Sequence, residues 1–589
     1  MRRFLSGLGS FFWYALAAST GIVLLVLFVL FFAWLLSPGD KKIKDKSVLM
    51  LRLRKPIIEK AQKDFDFDIP GLPFEASGGI GLVELKENIR KAKNDDKIQG
   101  IYLDLSAINA GFASLEELRN ALLDFKKSKK FIFAYGEFFD EKAYYIASVA
   151  DRIFIYPTGL IELNGLTSER TFIKGVLEKI EVKPEIFRVG EFKSAVEPFF
   201  LDKMSDASRK QTVSYLNSIY DFYLANVAKT RGMEVETLRN ISDSMLVRNA
   251  ESAKKYNIVT DIAYYDEVEA AIKKQLKLEE KDKINFVSLG EYEKVEDKSK
   301  SSSSNKIAVI IASGDIVSGQ GDDDEIGSDK YAALIRKARL DKDVKAIVIR
   351  INSPGGSALA SDVMWREVIL AKKEKPVIAS MSDVAASGGY YLAMGCDAIL
   401  AHPNTITGSI GIFGLLFNAE DFLKNKIGVT TDRVNTGKFS DLGYPTRKFS
   451  DAEKKIIQTS VEEGYERFTS KAAEGRKMEL AALKKIAEGR VWSGAEAKEL
   501  GLVDQLGGLE DAIALAAQKA KLKDGDYRVR YQPQSKSFFE RIKGGMEASI
   551  FQTALKRELG EYYNYFKLLN RLQKMDFIQA RMPYELNIH

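Results

Sequence analysis

"IRKAKNDDKIQGIYLDL", Ile89 to Leu105, and "IRKARLDKDVKAIVIRI", Ile335 to Ile351, are one passage written twice. They align without a gap at an offset of 246 residues. At the same offset "FIFAYGEFFDEKAYYIASVADRIFIYPTG", from Phe131, faces "VIASMSDVAASGGYYLAMGCDAILAHPNT", from Val377. Tyr144 and Tyr145 then stand opposite Tyr390 and Tyr391. Further on, "RVGEFKSAVEP" from Arg188 faces "VNTGKFSDLGYP" from Val434, with Gly190 opposite Gly437. A period this long means tandem domains rather than a solenoid. Within each copy, short apolar runs such as "KAIVIRI" and "KPVIASM" alternate with amphipathic helical stretches. That alternation calls for βα units and a largely parallel, buried sheet. The fold class is therefore α/β, present twice.

The bulk composition agrees and narrows the function. A chain of 589 residues is too long for one hydrophobic core. A hydrophobic fraction of 46% and a charged fraction of 29% mark a folded protein. The net charge of +6 is small for this length, and no aromatic-plus-basic module appears, so no nucleic-acid partner is expected. Cys396 is the single cysteine, which rules out an intrachain disulfide, and it reads as a small core residue. His402 and His589 are the only histidines, and metal-site spacing is absent. No metal or other cofactor is expected. "SGQGDDDEIG", near Gly319, contains Gly-x-Gly, but its three aspartates would repel a phosphate. It reads as an exposed acidic loop, with cation binding left open.

The ends differ from the middle. Phe11 to Leu36 carries no charge and is long enough to cross a bilayer as a helix. It is longer than a signal-peptide apolar region and ends in "AWLLSPGD", so it reads as an uncleaved anchor, with cleavage as the alternative. Arg2 and Arg3 precede it and Lys41, Lys42, Lys44 and Lys46 follow it, so the charge count leaves orientation open. The expected organisation is an anchor over 1–46, a first repeat over 47–290, a linker over 291–306, a second repeat over 307–534 and a tail over 535–589. The linker carries "SKSSSSNK". The tail reads as amphipathic helix, packed on the body or on another subunit.

Ser387, in "VAASGGYYLAMG", sits among small residues where a strand gives way to a helix. It is either a nucleophile or part of a tight turn. A nucleophilic serine needs a base. His589 is terminal, and His402 reads as a loop or core histidine. A lysine can serve only if burial lowers its pKa enough to leave it neutral. Lys193, in "VGEFKSAVEPFF", has apolar surroundings in Phe192, Ala195, Val196, Phe199 and Phe200, but on residue context alone a surface lysine remains the simpler reading. "INSPGGSALASD" follows a strand and precedes a helix. Gly355 and Gly356 there allow close backbone approach beside free helix N–H groups.

Five stretches resemble the signal peptide peptidase A family in its long, duplicated form: "RVGEFKSAVEPF", "INSPGGS", "AASGGYYLA", "NTITGSIGIFG" and "GRVWSGAEAKELGLVDQLGG". The resemblance runs from about residue 50 to residue 525 and keeps the family's order. It implies two tandem ClpP/crotonase-like domains and a peptidase with a Ser-Lys dyad. Carried over, Ser387 is the nucleophile and Lys193 the general base. Gly355, Gly356 and Gly388 supply the oxyanion contacts, and Ser409 orients the lysine. The resemblance also implies cleaved signal peptides as substrates, a catalytic body outside the cytoplasmic membrane, lipid contact through the N-terminal helix, and a homotetramer. The repeat alignment adds an independent point. Opposite Ser387 stands Glu141, and opposite Lys193 stands Ser440. Each copy lacks what the other keeps, so one composite site is expected. The competing classes are a non-catalytic membrane-tethered scaffold and a crotonase-type acyl-CoA enzyme.

Overall fold

The computed structural model describes residues 43–61, 79–297, 301–534, 576, 578–582 and 588. The apolar run at 11–36, and the anchor read from it, lie outside them. Among the described residues no helix is long and apolar enough to cross a membrane.

The duplication is visible strand by strand. Ile98–Asp104, Phe131–Phe139 and Arg152–Ile161 begin 246 residues before Val344–Ser353, Val377–Ala386 and Ala398–Ala401. In the first repeat these strands join Ser47–Arg52, Asp261–Ile262 and Asn285–Ser288 in a sheet that is parallel throughout. In the second they join Lys306–Ser313, Ile406–Gly408, Gln505–Leu506 and Arg528–Gln532, also parallel. Val491–Ser493 closes that edge antiparallel to Ile406–Gly408. The run Ala346 to Ile349 is fully buried, as a strand covered on both faces must be. Each repeat also carries a 26-residue helix, Asp206–Arg231 and Asp451–Arg476. Each is capped by a serine, Ser205 or Ser450, that accepts from a backbone N–H three residues on.

A third sheet belongs to neither repeat alone. Its order is Glu325–Gly327, Asp315–Val317, Gly355–Ser357, Ile578–Arg581, Phe413–Asn418, Lys183–Arg188. The last strand comes from the first repeat and pairs over its whole length, antiparallel, with Phe413–Asn418 of the second. The chain turns from Arg188 straight into the lysine loop, so this pairing delivers Lys193 to the second repeat.

One expectation needs correction. Within the tail read as helical, Ile578–Arg581 is a strand. Its hydrogen-bond partners lie far back in the chain, and that pairing overrides any local helical preference. The stretch read as a linker is ordered at both ends. Leu289–Glu293 is a helix capped by Ser288, and the Ser301 and Ser303 hydroxyls donate to the carbonyls of Gly525 and Asp526. Hydroxyls that solvate a free linker here satisfy backbone acceptors of the second repeat instead. Cys396 is buried as expected, and burial pushes its thiol pKa up. Asp322, Asp323 and Asp324 are exposed, in keeping with an acidic loop.

The two repeats meet over buried charge. Arg350, in the strand Val344–Ser353, is 0% exposed and ion-pairs with Glu59 at 2.8 Å and Glu117 at 2.7 Å, both from the first repeat. Lys86 and Glu117 also pair, and His402 Nε2 lies 3.3 Å from the Glu117 carboxylate. Burial alone would raise the Glu117 carboxyl, but Arg350, Lys86 and His402 outweigh it and hold it well below the usual range. Ser114 of the first repeat donates to Asp383, in the strand that leads to Ser387, from its amide (2.8 Å) and its hydroxyl. Removing the guanidinium alone takes the ion-pair partner from buried Glu59 and leaves Glu117 with Lys86 and His402. Arg350→Met is expected to destabilise the protein by about 3–5 kcal/mol in urea unfolding. A loss under about 1 kcal/mol would show that the cluster does not hold the repeats together.

Candidate active site

The strand Val377–Ala386 ends at Ser387, which N-caps the helix Gly388–Ala393 with φ 53° and ψ −108°. That backbone is strained for a residue with a side chain, at about 1–3 kcal/mol. Its amide donates to the Gly408 carbonyl at 2.8 Å, which fixes the turn. The hydroxyl lies 3.0 Å from Lys193 Nζ and 3.4 Å from the Gly411 carbonyl. Lys193 and Ser387 thus meet within one chain, each supplied by a different repeat.

Lys193 and Ser387 are both 0% exposed. Burial holds the lysine amine well below its ordinary pKa, and no neighbouring charge opposes it. The Nζ has three neighbours: Ser387 Oγ, the Ser409 carbonyl at 3.1 Å and Ser409 Oγ at 3.0 Å. A neutral amine has two N–H donors and one lone pair. If the N–H groups go to the two Ser409 oxygens, the lone pair faces the Ser387 hydroxyl. Ser409 is itself held at φ 49°, and its amide donates to the Arg490 carbonyl at 2.7 Å.

The slot for the lysine is cut by glycines. A methyl on Gly489 would sit 2.7 Å from Lys193 Cβ, and Gly489 has φ 75°. A methyl on Gly411 would sit 3.2 Å from Lys193 Cδ. The lysine loop docks here through Phe192, whose amide donates to the Glu488 carbonyl at 3.1 Å. Behind it, Gln211 is fully buried. Its amide nitrogen donates to the Phe192 carbonyl and to Ser194 Oγ, and its oxygen accepts from the Val491 amide of the second repeat. Sequence reasoning missed Gln211 and Gly489. Gln211 lies in a polar helical stretch, and Gly489 opens the quoted stretch "GRVWSG" but had no local signal of a role.

The glycines of "SPGG" do different things. Gly355, at φ 101°, lies against Gly388: a methyl on it would fall 2.7 Å from the Gly388 nitrogen. Its own amide donates to Ser353 Oγ at 3.1 Å. Gly356 faces away, toward Ile316, where a methyl would meet the carbonyl at 2.0 Å. The Gly388 amide is the first of its helix and has no helical acceptor. Gly355, Gly388, Ser387, Lys193 and Ser409 are therefore brought together, and Gly356 adjoins them in the strand Gly355–Ser357, opposite Ala580. The repeat counterparts do none of this. Glu141 accepts from the Asn164 amide, and Ser440 hydrogen-bonds Gly437 in an exposed loop. His402 is in the repeat interface, and His589 lies outside the described residues.

A buried lysine amine 3.0 Å from the hydroxyl of a serine on a strained turn has the geometry for acyl transfer, and the comparisons below make the chain a serine peptidase. The model of Peptidase family S49 matches this chain twice, at residues 124–279 and 369–523. The Arabidopsis thaliana protein named Serine protease SPPA, chloroplastic, is 36% identical over 84% of this chain and 72% of its own length. Protease 4 of Salmonella typhi is 37% identical over 80% of this chain and 76% of its own. An Enterococcus faecium relative, named as a signal peptide peptidase SppA, is 34% identical over 43% of this chain and 75% of its own. The chain belongs to peptidase family S49.

A side chain on Gly489 must push the lysine stem. Gly489→Ala is expected to lower kcat/KM by about 100-fold, since a shift of about 1 Å at a reacting group costs that much. Unchanged kinetics in a folded variant would mean that Lys193 does not depend on this slot.

Proposed function

We propose that the protein is a membrane-anchored endopeptidase in which Lys193 activates Ser387 to cut signal peptides left after preprotein processing. The observation that carries this reading is the 3.0 Å approach of a buried, charge-isolated lysine to a serine hydroxyl. Neutral Lys193 takes the hydroxyl proton as Ser387 Oγ attacks a peptide carbonyl. The developing oxyanion rests on the Gly388 amide. The Gly355 amide joins it when the substrate oxygen displaces Ser353 Oγ, each such donor being worth about 10²–10³ in rate. The lysine then gives its proton to the departing amine, leaving an ester on Ser387. Water, deprotonated by the same lysine, hydrolyses that ester. Ser409 positions the amine through both of its oxygens.

The finer organisation belongs to the same reading. Two tandem ClpP/crotonase-like repeats, 47–290 and 307–534, follow an anchor within 1–46 that crosses the cytoplasmic membrane once. The catalytic body lies on the extracytoplasmic side and assembles as a homotetramer. The apolar run at 11–36 supports the anchor, and the relative named for signal peptides supports the substrate class.

A fluorophosphonate probe tests the dyad. Labelling is expected to vanish in Ser387→Ala and to fall steeply in Lys193→Ala. Persistent labelling of the Ser387→Ala protein sinks the proposal. A pH profile tests the base. The neutral amine is the active form, so activity rises with pH through the folded-state lysine pKa. Burial lowers that pKa, so the plateau is reached well below pH 10.4, the ordinary lysine value. A profile still climbing at pH 10 would place a solvated lysine in the role.

A further inference from the structure

Four consecutive residues of the second repeat, Glu488 to Val491, receive the lysine loop. The Glu488 carbonyl accepts the Phe192 amide at 3.1 Å. Gly489 lies against the Lys193 stem. The Arg490 carbonyl accepts the Ser409 amide at 2.7 Å, and the Val491 amide donates to Gln211 at 3.0 Å. On the side of the receiving strip all of these contacts use backbone. Arg490 adds a side chain, and no step of the reaction uses it.

The Arg490 guanidinium lies over two aromatic rings. Its carbon is 5.0 Å from the centre of the Phe192 ring and 3.8 Å from that of Trp492. Phe192 belongs to the first repeat and immediately precedes Lys193. Trp492 belongs to the second repeat and is fixed there. Its indole N–H donates to the Ile486 carbonyl at 3.0 Å, and a methyl on Gly408 would meet its ring at 2.8 Å. The Gly408 carbonyl in turn accepts the Ser387 amide. The guanidinium thus joins the support of the lysine to the support of the serine. Its buried Nε has no hydrogen-bond partner among the described residues. Ring faces hold it instead, and they suit a planar, weakly hydrated cation better than a compact ammonium.

We propose that Arg490 is a positioning residue: its guanidinium clasps Phe192 to Trp492, holds the lysine loop against the second repeat and keeps water from Lys193. The inference rests on the Ser387–Lys193 reading. Charged groups do stand on the elements around the amine. Arg188 Nη1 donates to the Lys193 carbonyl at 3.4 Å, and Glu191 is exposed. The Glu197 carboxylate accepts from the Ser205 amide and hydroxyl. Tyr465 lies against the Glu488 backbone, and Glu496, which acts on Arg490, accepts from the Ser493 amide and the Ser214 hydroxyl. None of them sets the lysine amine, which burial alone holds down. A proton affinity set by burial alone depends on the seal.

Full-length Arg490→Ala, Arg490→Lys, Phe192→Leu and the Phe192→Leu/Arg490→Ala double variant are compared with the parent. The pH dependence of kcat/KM on a short peptide, fluorophosphonate labelling and thermal unfolding are measured on the same samples. Neutral Lys193 is the active form, so water admitted beside its stem raises its pKa and moves the rise in activity to higher pH. In Arg490→Ala the midpoint moves up by about one pH unit, which lowers kcat/KM about tenfold below the midpoint, and the loss shrinks as the pH is raised. Arg490→Lys recovers only part of the shift, because an ammonium cannot lie flat on both rings. Phe192→Leu moves the midpoint the same way, and the double variant moves it no further than the larger single one, as two halves of one contact must. A midpoint that stays in place, a loss equal at every pH, full recovery in Arg490→Lys or additive shifts in the double variant each overturn the inference. If Arg490→Ala does not fold, Phe192→Leu carries the test. Failure of the parent itself to label at Ser387 overturns the underlying dyad instead.

Discussion

A lysine sealed from water with no carboxylate beside it is the constraint around which this molecule is arranged. Desolvation is costly for an ammonium and tolerable for an amine, so burial without a counter-charge selects the form that can accept a proton. Everything near Lys193 serves that isolation. Gly411 and Gly489 let the aliphatic stem lie flat, and Ser409 offers two oxygens but no charge. The charged clusters of the interface are held elsewhere, around Arg350 and Glu117, where opposite signs compensate each other.

Isolation of this kind needs walls from two directions, and the duplication supplies them. The first repeat brings the lysine on a loop pinned by Gln211 and by the strand Lys183–Arg188. The second brings the serine on a strained turn at the end of its sheet. The third sheet, shared between repeats, ties the glycine turn, the C-terminal strand and the lysine loop into one register.

Much of this was legible in the sequence, for physical reasons. The parallel sheets announce themselves as apolar runs repeated at a constant offset, because strands buried on both faces admit few polar residues. Small residues around Ser387 and apolar neighbours around Lys193 mark a tight turn and a candidate buried amine, but only the family resemblance separated them from an ordinary turn and a surface lysine. Long-range pairing was not legible. Arg350, Glu59 and Glu117 look like surface charges until the fold brings them together. Ile578–Arg581 has no strand signal of its own, since its partners lie more than 150 residues earlier in the chain. The Ser353 hydroxyl on the Gly355 amide is likewise a matter of rotamer and turn geometry, which residue types do not encode.

The split of serine and lysine between repeats has a consequence for the cell that makes the protein. A ribosome releases Lys193, the proposed base, almost two hundred residues before Ser387, the proposed nucleophile. A half-finished chain therefore holds one reagent without the other and can cut nothing, neither itself nor the proteins folding beside it. Hydrolytic power arrives only when the second repeat has been synthesised and docked on the first. The topology acts as a safety catch during biosynthesis.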